Sequence, residues 1–582
     1  MIRSGQLLNS CCNSSAALLG LLLITACADP VPPEQPSGGI CQSAVTPITD
    51  IQGEGYYSPV VDGQVTVRGV VTLITKENGF YLEETGPQSA GSASRALFIS
   101  TEQPLPDVHA GQLLELSGRV SELGDKRDKL TSLVEITEHK TCSDNAGLPL
   151  SKASLPMDSE VREMLEGMRV VFEQKLTITD VYKLHDGELT FSSDGVLRVP
   201  TEVAMPGPAA QQLDRENRSH SLVAVLPAPD KATPVGSTTN TLSGVMGNNG
   251  RGQQLLLEGI PDLALPAQAA LAPPVATGVR IVSSNLLNFF NGNGNGGEFP
   301  TERGAETPEE FSAQSARIQA AMEQIQPDLL AVQELENDGF GTDSAAQSLL
   351  DILNETGNSD WAFIDPGTGS IGGDVITVGL FYRQEILERI GTAQSLDSPE
   401  FQQLSRQPLA QLFRDRQSGQ TFLAAVNHLK SKGSCPESGK NTDQKDGQGC
   451  WNPARLSAVI AEVPWVEARA EALGTDRIII LGDMNAWRNE DPVRQFLASG
   501  YRDLVEEMSG LPQHSFLYWG QTGTLDYAFA SPAMAEAAKN ATIWHINAIW
   551  PRKMTQPEPW LRNSDHDPVV VDFSFSHPAT SD

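Results

Sequence analysis

A chain of 582 residues is longer than one ordinary core organises, so roughly two to four domains are expected. With 41 Lys+Arg against 73 Asp+Glu the net charge is −32, the wrong sign for holding a polyanion by bulk electrostatics. That excludes a protein coated in basic charge. Any hold on nucleic acid has to be local, and most of the acidic surface reads as solvated and solubilising.

Residues 1–27 read as an export signal: Arg3 is the basic start, Ala16 to Ile24 an apolar run too short to span a bilayer, and Thr25 and Ala26 are small. The order Ile24, Thr25, Ala26, Cys27 resembles a bacterial lipoprotein processing box, in which the cysteine is lipidated. A simply cleaved signal is the alternative. The expected location is therefore the cell surface or outer membrane, as a lipoprotein, or the periplasm or medium if cleavage is all that happens. Membrane contact is expected only through that anchor, and no protein partner is inferred. Residues 28–45 begin with ADPVPPEQPSGG, a Pro/Gly/Ser tether.

Of seven cysteines, Cys11 and Cys12 lie in the signal and Cys27 is the lipidation candidate. Four remain, which allow three pairings. Closeness in sequence favours Cys435 with Cys450, leaving Cys41 with Cys142, and an oxidising compartment lets both form.

Residues 46–145 carry short alternating strands, at 64–74, 79–84, 96–100 and 113–123, punctuated by Gly and Pro, a pattern of a small all-β barrel or sandwich. IQGEGYYSPVVDGQVTVRGVVT followed by GFYLEE resembles the OB-fold modules that precede the catalytic domain in bacterial extracellular nucleases. Tyr56, Tyr57, Phe80 and Tyr81 are available to stack on bases or to fill the barrel. Residues 146–265 form a second β-rich region without a catalytic constellation. A Pro/Ala-rich linker at 266–278 marks the main boundary.

From 279 to 577 buried strands alternate with helices. Strands are expected at 279–284, 328–333, 378–382, 422–427, 477–482, 526–530 and 569–573. Thr307, Pro308 and Glu310 announce a helix with a capping box, and Ile318, Met322 and Ile325 recur at helical spacing. The fold class is multidomain: a C-terminal α/β sandwich preceded by an all-β, OB-fold-like region. The Gly-rich run at 291–297 lacks the Lys-Ser/Thr ending of a phosphate loop and reads as a flexible connection.

Polar residues cluster at one boundary of strand after strand: Asn285, Glu334, His428, Asp483 with Asn485, and Asp565 with His566. If neighbouring strands bring these boundaries to one edge, they share a cleft. No tetrahedral Cys/His spacing is present, so a structural zinc is not expected. Oxygen donors suit a hard ion: Mg2+, with Mn2+ or Ca2+ as alternatives.

The motifs NLLN (285–288), QELENDG (333–339), NHLKSKG (427–433), GDMNA (482–486), TLDYAF (524–529) and SDHDP (564–568) come in the order of the endonuclease/exonuclease/phosphatase family. Residues 279–575 resemble it, most closely its exported bacterial nucleases. The resemblance implies a metal-ligating Glu334, with Asn285 and Asp565 beside the metal. Asp483 and Asn485 orient the attacking water and hold phosphoryl oxygens. His566 is implied as the catalytic histidine, Asp526 as the aspartate fixing its tautomer, and His428 as the second active-site histidine. Asp374 lies where some members pair an acid with that second histidine. Arg303, Lys430, Lys432 and Arg455, in or near these motifs, are candidate phosphate contacts.

The expected activity is metal-dependent hydrolysis of DNA by activated water, with RNA and single strands as further substrates. A phosphatase or phospholipase on lipid or inositol phosphates is the enzymatic alternative. A catalytically inactive surface protein that only binds nucleic acid is the other.

Overall fold

The structure, a computed structural model, describes residues 41–576 apart from 77–78, 87–92, 104, 106, 125–128, 229–230, 249–251, 267–274, 358–359 and 403. The signal with Cys27, the tether up to residue 40 and most of the 266–278 linker lie outside the described residues. From Ser43 onward the chain is a single unit. Among the described residues no helix is long and apolar enough to cross a membrane.

Alternation of apolar and polar residues makes the first strands two-faced, and closure removes their edges. Strands Gln64–Thr75, Gly79–Glu83, Ala96–Ser100, Leu113–Leu123 and Leu130–Ser143 form a closed barrel, ordered first, second, third, fifth, fourth. Parallel pairing of Phe98 with Ser132 shuts it. Val67, Val71, Leu82, Leu97, Leu116 and Leu133 fill it, and Ile48 and Ile51 of the short helix Ile48–Gln52 plug one end. Phe80 lies in this core and Tyr81 packs on Leu130 and Val245, so neither faces a ligand; Tyr56 and Tyr57 are exposed.

The second β-rich region is one eight-stranded sheet. Its strands run from Ser151–Ala153 at one edge to Thr238–Thr239 at the other, with helix Pro208–His220 alongside. It is docked on the C-terminal half through its short helix Pro200–Val203. The Thr201 hydroxyl donates to Glu490 Oε1 at 2.9 Å, and the Asn489 N–H donates to the Thr201 carbonyl at 3.0 Å. Buried Glu202 accepts the Thr524 N–H at 3.2 Å.

The C-terminal half is the expected sandwich. One six-stranded sheet runs Trp361–Phe363, Ile376–Arg383, Leu329–Glu336, Val279–Phe289, Val569–Phe573, Ala538–Ile543. The other runs Leu387–Ser395, Arg406–Asp415, Thr421–His428, Ile478–Asp483, Asp526–Ala530, Arg502–Asp503. Their facing sides, with Ile281, Leu329, Val378, Val426, Ile479 and Leu481, make one core. Helices Pro308–Ile325 and Ala345–Glu355 cover the first sheet, Asn452–Ala472 and Asp491–Ala498 the second.

Three local expectations change. Thr307 does cap its helix, accepting the Glu310 N–H at 3.2 Å, but the Glu310 carboxylate takes the Glu306 N–H at 2.8 Å, so the capping box is only half formed. The run at 291–297 is an anchored turn rather than a flexible connection. Asn293 Oδ1 accepts the N–H groups of Asn295 and Gly297, and the Asn291 amide donates to Asp343 O and Ser348 Oγ. Strands Leu387–Ser395 and Arg406–Asp415 had no counterpart in the sequence reading. The Cys435–Cys450 disulfide is formed, with Cα atoms 5.5 Å apart.

Candidate active site

Register places the chemistry. In the first sheet Val279–Phe289 and Leu329–Glu336 run parallel, Asn285 opposite Gln333. Both strands break register just there, and Glu334 takes φ +62°, a left-handed backbone that non-glycine residues rarely adopt. The break turns the Glu334 carboxylate toward Asn285 and Asn288: Asn285 Nδ2 donates to Oε1 at 3.2 Å and the Asn288 N–H to Oε2 at 2.9 Å.

In the second sheet His428 is opposite Asp483 in a parallel pair, and Asp483 is opposite Asp526 in an antiparallel one. Neighbouring strands are about 4.8 Å apart, so the three side chains line one edge. Asp483 Oδ2 is 3.4 Å from His428 Nε2 and 3.9 Å from His566 Nε2, and accepts from Asn485 Nδ2 at 3.1 Å. Across the cleft Asn285 Nδ2 lies 3.5 Å from that same oxygen. One amide therefore touches Glu334 of one sheet and Asp483 of the other, and the two strand edges form a single site.

Residues 282–566 match the Endonuclease/Exonuclease/phosphatase family model. The matched segment contains every carboxylate, amide and imidazole just described. Solved structures similar to the chain include the human Nocturnin catalytic domain, at 17% identity, 52% of this chain, 97% of that one and a TM-score of 0.34. A Bacteroides thetaiotaomicron mannosyl-6-phosphatase aligns at 16% identity over 51% of this chain and 100% of its own, TM-score 0.35. D. rerio TDP2 complexed with a single-strand DNA product aligns at 14% over 51% and 99%, TM-score 0.32. None of these values carries a substrate over to this chain. No curated protein matches it.

The remaining expected residues lie around Asp483. His566 Nδ1 is 2.7 Å from Asp526 Oδ2, and the Ser515 hydroxyl donates to that same oxygen at 2.6 Å. Burial alone would lower the His566 pKa, but Asp526 and Asp483 carry it well above the usual value. His428 is the opposite case, held well below its usual value by burial and then by the Arg406 guanidinium. Burial raises Asp483 to about 7 against the pull of His566. Glu334 is raised by burial and then by the nearby Asp565 carboxylate.

Several expected side chains are used otherwise. Asp374 does not pair with His428; it takes Arg406 Nε at 3.1 Å and Arg303 Nη2 at 3.4 Å, because two guanidiniums outcompete a neutral, desolvated imidazole. Arg455 is fully buried and donates to the carbonyls of Lys430, Cys450 and Gln448, so it braces the disulfide loop and cannot reach a phosphate. Lys432 is consumed by Glu490 and the Gln448 carbonyl. Lys430 bends onto Ser431 and Gly433 carbonyls, 5.2 Å from the Trp451 ring centroid, and burial lowers it to about 8. Arg303 stays half-exposed beside Asp374.

The cation that does enter the site, Arg406, escaped the sequence reading. Its strand pairs it with His428, and Nη1 lies 3.4 Å from His428 Nε2. Its signal would have been the apolar run of Arg406–Asp415, interrupted by Pro408 and two glutamines. Also missed is the support behind His566. Asp567 Oδ1 accepts the Asn547 and Ala548 N–H groups, and Oδ2 is 3.2 Å from His545 Nδ1, whose ring stacks on His514 at 4.0 Å.

The fit for a metal is decided by donor type. Glu334, raised by burial and by the neighbouring Asp565 carboxylate, forms with Asp565 a pair of oxygen donors beside Asn285 that suits a hard divalent ion. Among the described residues, Asp483, Asp526 and His566 also bring ligand-type atoms within 4.8 Å of one another, but Asp526 is spent on His566 and Ser515.

Proposed function

We propose that residues 279–577 form a metal-dependent phosphodiesterase that hydrolyses nucleic acid, DNA foremost, in an exported protein. The observation that carries it is the Asp526–His566 pair aimed at Asp483, with Asn285 linking Asp483 to Glu334 across the cleft. A phosphodiester is attacked in line, and charge grows on its equatorial and leaving oxygens. Asp483, titrating at about 7 and steadied by both Asn485 N–H donors, is suited to take the proton of the attacking water. His566, with its proton favoured by Asp526, donates to a phosphoryl oxygen. Arg406, beside His428, stands as a further donor to that charge. Glu334 and Asp565 would hold Mg2+, with Mn2+ or Ca2+ as alternatives, which when bound neutralises charge on phosphoryl and leaving oxygens.

The five-stranded barrel, read as OB-like, supports nucleic acid over lipid phosphates, with exposed Tyr56 and Tyr57 as its stacking candidates. Export rests on residues 1–27 and on the formed Cys435–Cys450 bridge; lipidation of Cys27 and the Cys41–Cys142 pairing belong to the same reading. The test is a panel of circular DNA, RNA, phospholipid and nucleotide monophosphates with each metal and with EDTA. Metal-dependent loss of the DNA is expected. Turnover of a lipid or monoester with nucleic acid untouched would overturn the assignment.

A further inference from the structure

The catalytic chemistry uses neither the eight-stranded middle sheet nor Trp519, and the two meet at one hairpin. Strands Phe516–Tyr518 and Gln521–Gly523 pair with Tyr518 opposite Gln521, so Trp519 and Gly520 are the turn. Both have positive φ, +50° and +75°, the mirror-image turn for which Asn-Gly is the favoured sequence. Tryptophan is a poor choice there on backbone grounds, and burial does not compensate. Trp519 is 82% exposed, more than any other aromatic side chain among the described residues, with Tyr518 edge-on beside it at 6.4 Å. Fold stability gives no reason for it.

The other end of the hairpin stands in the active site. The Phe516 ring is 4.5 Å from the His566 imidazole, and the preceding Ser515 holds Asp526. Three residues of extended strand span about 10 Å, which matches roughly three base steps of about 3.4 Å each.

The middle sheet grips this hairpin. The Thr522 N–H donates to the Leu197 carbonyl at 2.9 Å, the Val199 N–H to the Thr522 carbonyl at 3.0 Å, and the Thr179 hydroxyl to the Gly520 carbonyl. A Cβ on Gly520 would come within 3.2 Å of the Asp180 side chain, so the turn is pressed onto the sheet. Asp180 in turn accepts the N–H of Tyr182, whose exposed ring lies 5.0 Å from the Arg552 guanidinium. Among the described residues no carboxylate pairs with Arg552.

We propose that Trp519 is a stacking platform for a nucleobase about three nucleotides from the cleaved phosphate, with Arg552 on Tyr182 meeting the adjacent backbone, and that the middle sheet is the splint that fixes this platform relative to His566. The proposal rests on the nucleic-acid reading above. Stacking tolerates any base and needs no positive field, which suits a chain of net charge −32.

The test uses the full chain on short single strands and duplexes. Trp519→Ala is expected to raise KM about tenfold and to lower kcat far less, with Trp519→Phe restoring most of the loss. Trp519→Asn, which suits the turn, is expected to melt no lower than wild type yet to share the KM defect of the alanine variant. Single abasic residues scanned along the substrate should weaken wild-type cleavage at one position and leave Trp519→Ala indifferent to that position. An unchanged KM in Trp519→Ala, or a wild type indifferent to every abasic position, removes the platform while the nuclease assignment stands. A wild type that cuts no nucleic acid at all removes both.

Discussion

Asp483 faces two imidazoles and two amides, and the roles around it separate by charge: His566 keeps its proton, His428 sheds its own, and Arg406 supplies the fixed positive charge. Removing the His566 imidazole should therefore strike the chemistry and spare the fold. His566→Ala is expected to lower kcat by about 10²- to 10⁴-fold with the melting temperature little changed; a rate near wild type would remove His566 from the mechanism. Arg406 and Arg455 should behave oppositely. Arg406→Ala is expected to cost activity at nearly unchanged stability. Arg455→Ala leaves the Lys430 and Cys450 carbonyls without this donor, at about 1–3 kcal/mol each, so its melting temperature should fall first. Kinetics and thermal melts on the same preparations distinguish them. Glu334, Asp483, Asp526 and His566 were legible in the sequence because each sits beside an apolar strand. Arg406 was not, since Arg-Gln-Pro at a strand start reads as loop, and the burial that spends Lys432 and Arg455 leaves no trace in local sequence.

Whole strands were legible where they are central. Asp526–Ala530 and Val569–Phe573 are short, mostly apolar strands buried on both faces and were placed to the residue. The edge strand Leu387–Ser395 alternates weakly and is mostly uncovered, so nothing in it outweighs a loop reading. Helix Asn452–Ala472 carries a buried acid, Glu462, which accepts the Asn427 amide at 2.6 Å and is pushed up to about 8 by burial. The folded chain thus keeps a proton that the unfolded chain releases above the ordinary carboxyl range. Stability should fall as pH rises from that range to about 8, with Glu166, also raised to about 8, adding to the slope. Glu462→Gln is expected to melt higher than wild type at pH near 8 and to flatten the profile. Melts across this range check it, and an unaltered slope in the variant would mean that Glu462 is ionised in the fold.

At the scale of the molecule the acidic surface opposes substrate capture before local groups act. Cleavage efficiency should rise as salt is added from very low ionic strength toward about 0.15 M, where the Debye length shortens to about 8 Å, the reverse of a basic nuclease. A steady fall over that range would show that local cations such as Arg303 and Arg552 govern encounter. The Pro/Ala stretch ahead of residue 279 looks like a place to divide the protein, yet the fold is not divided there. Thr524 and Asn489 give their N–H groups to Glu202 and Thr201, and the hairpin beside His566 leans on Leu197 and Val199. A gene fragment starting at the linker would encode the C-terminal sandwich with open donors along one flank. Duplication or shuffling that keeps this fold intact has to carry residues from about 146 onward as one inheritable block, whatever becomes of the barrel in front.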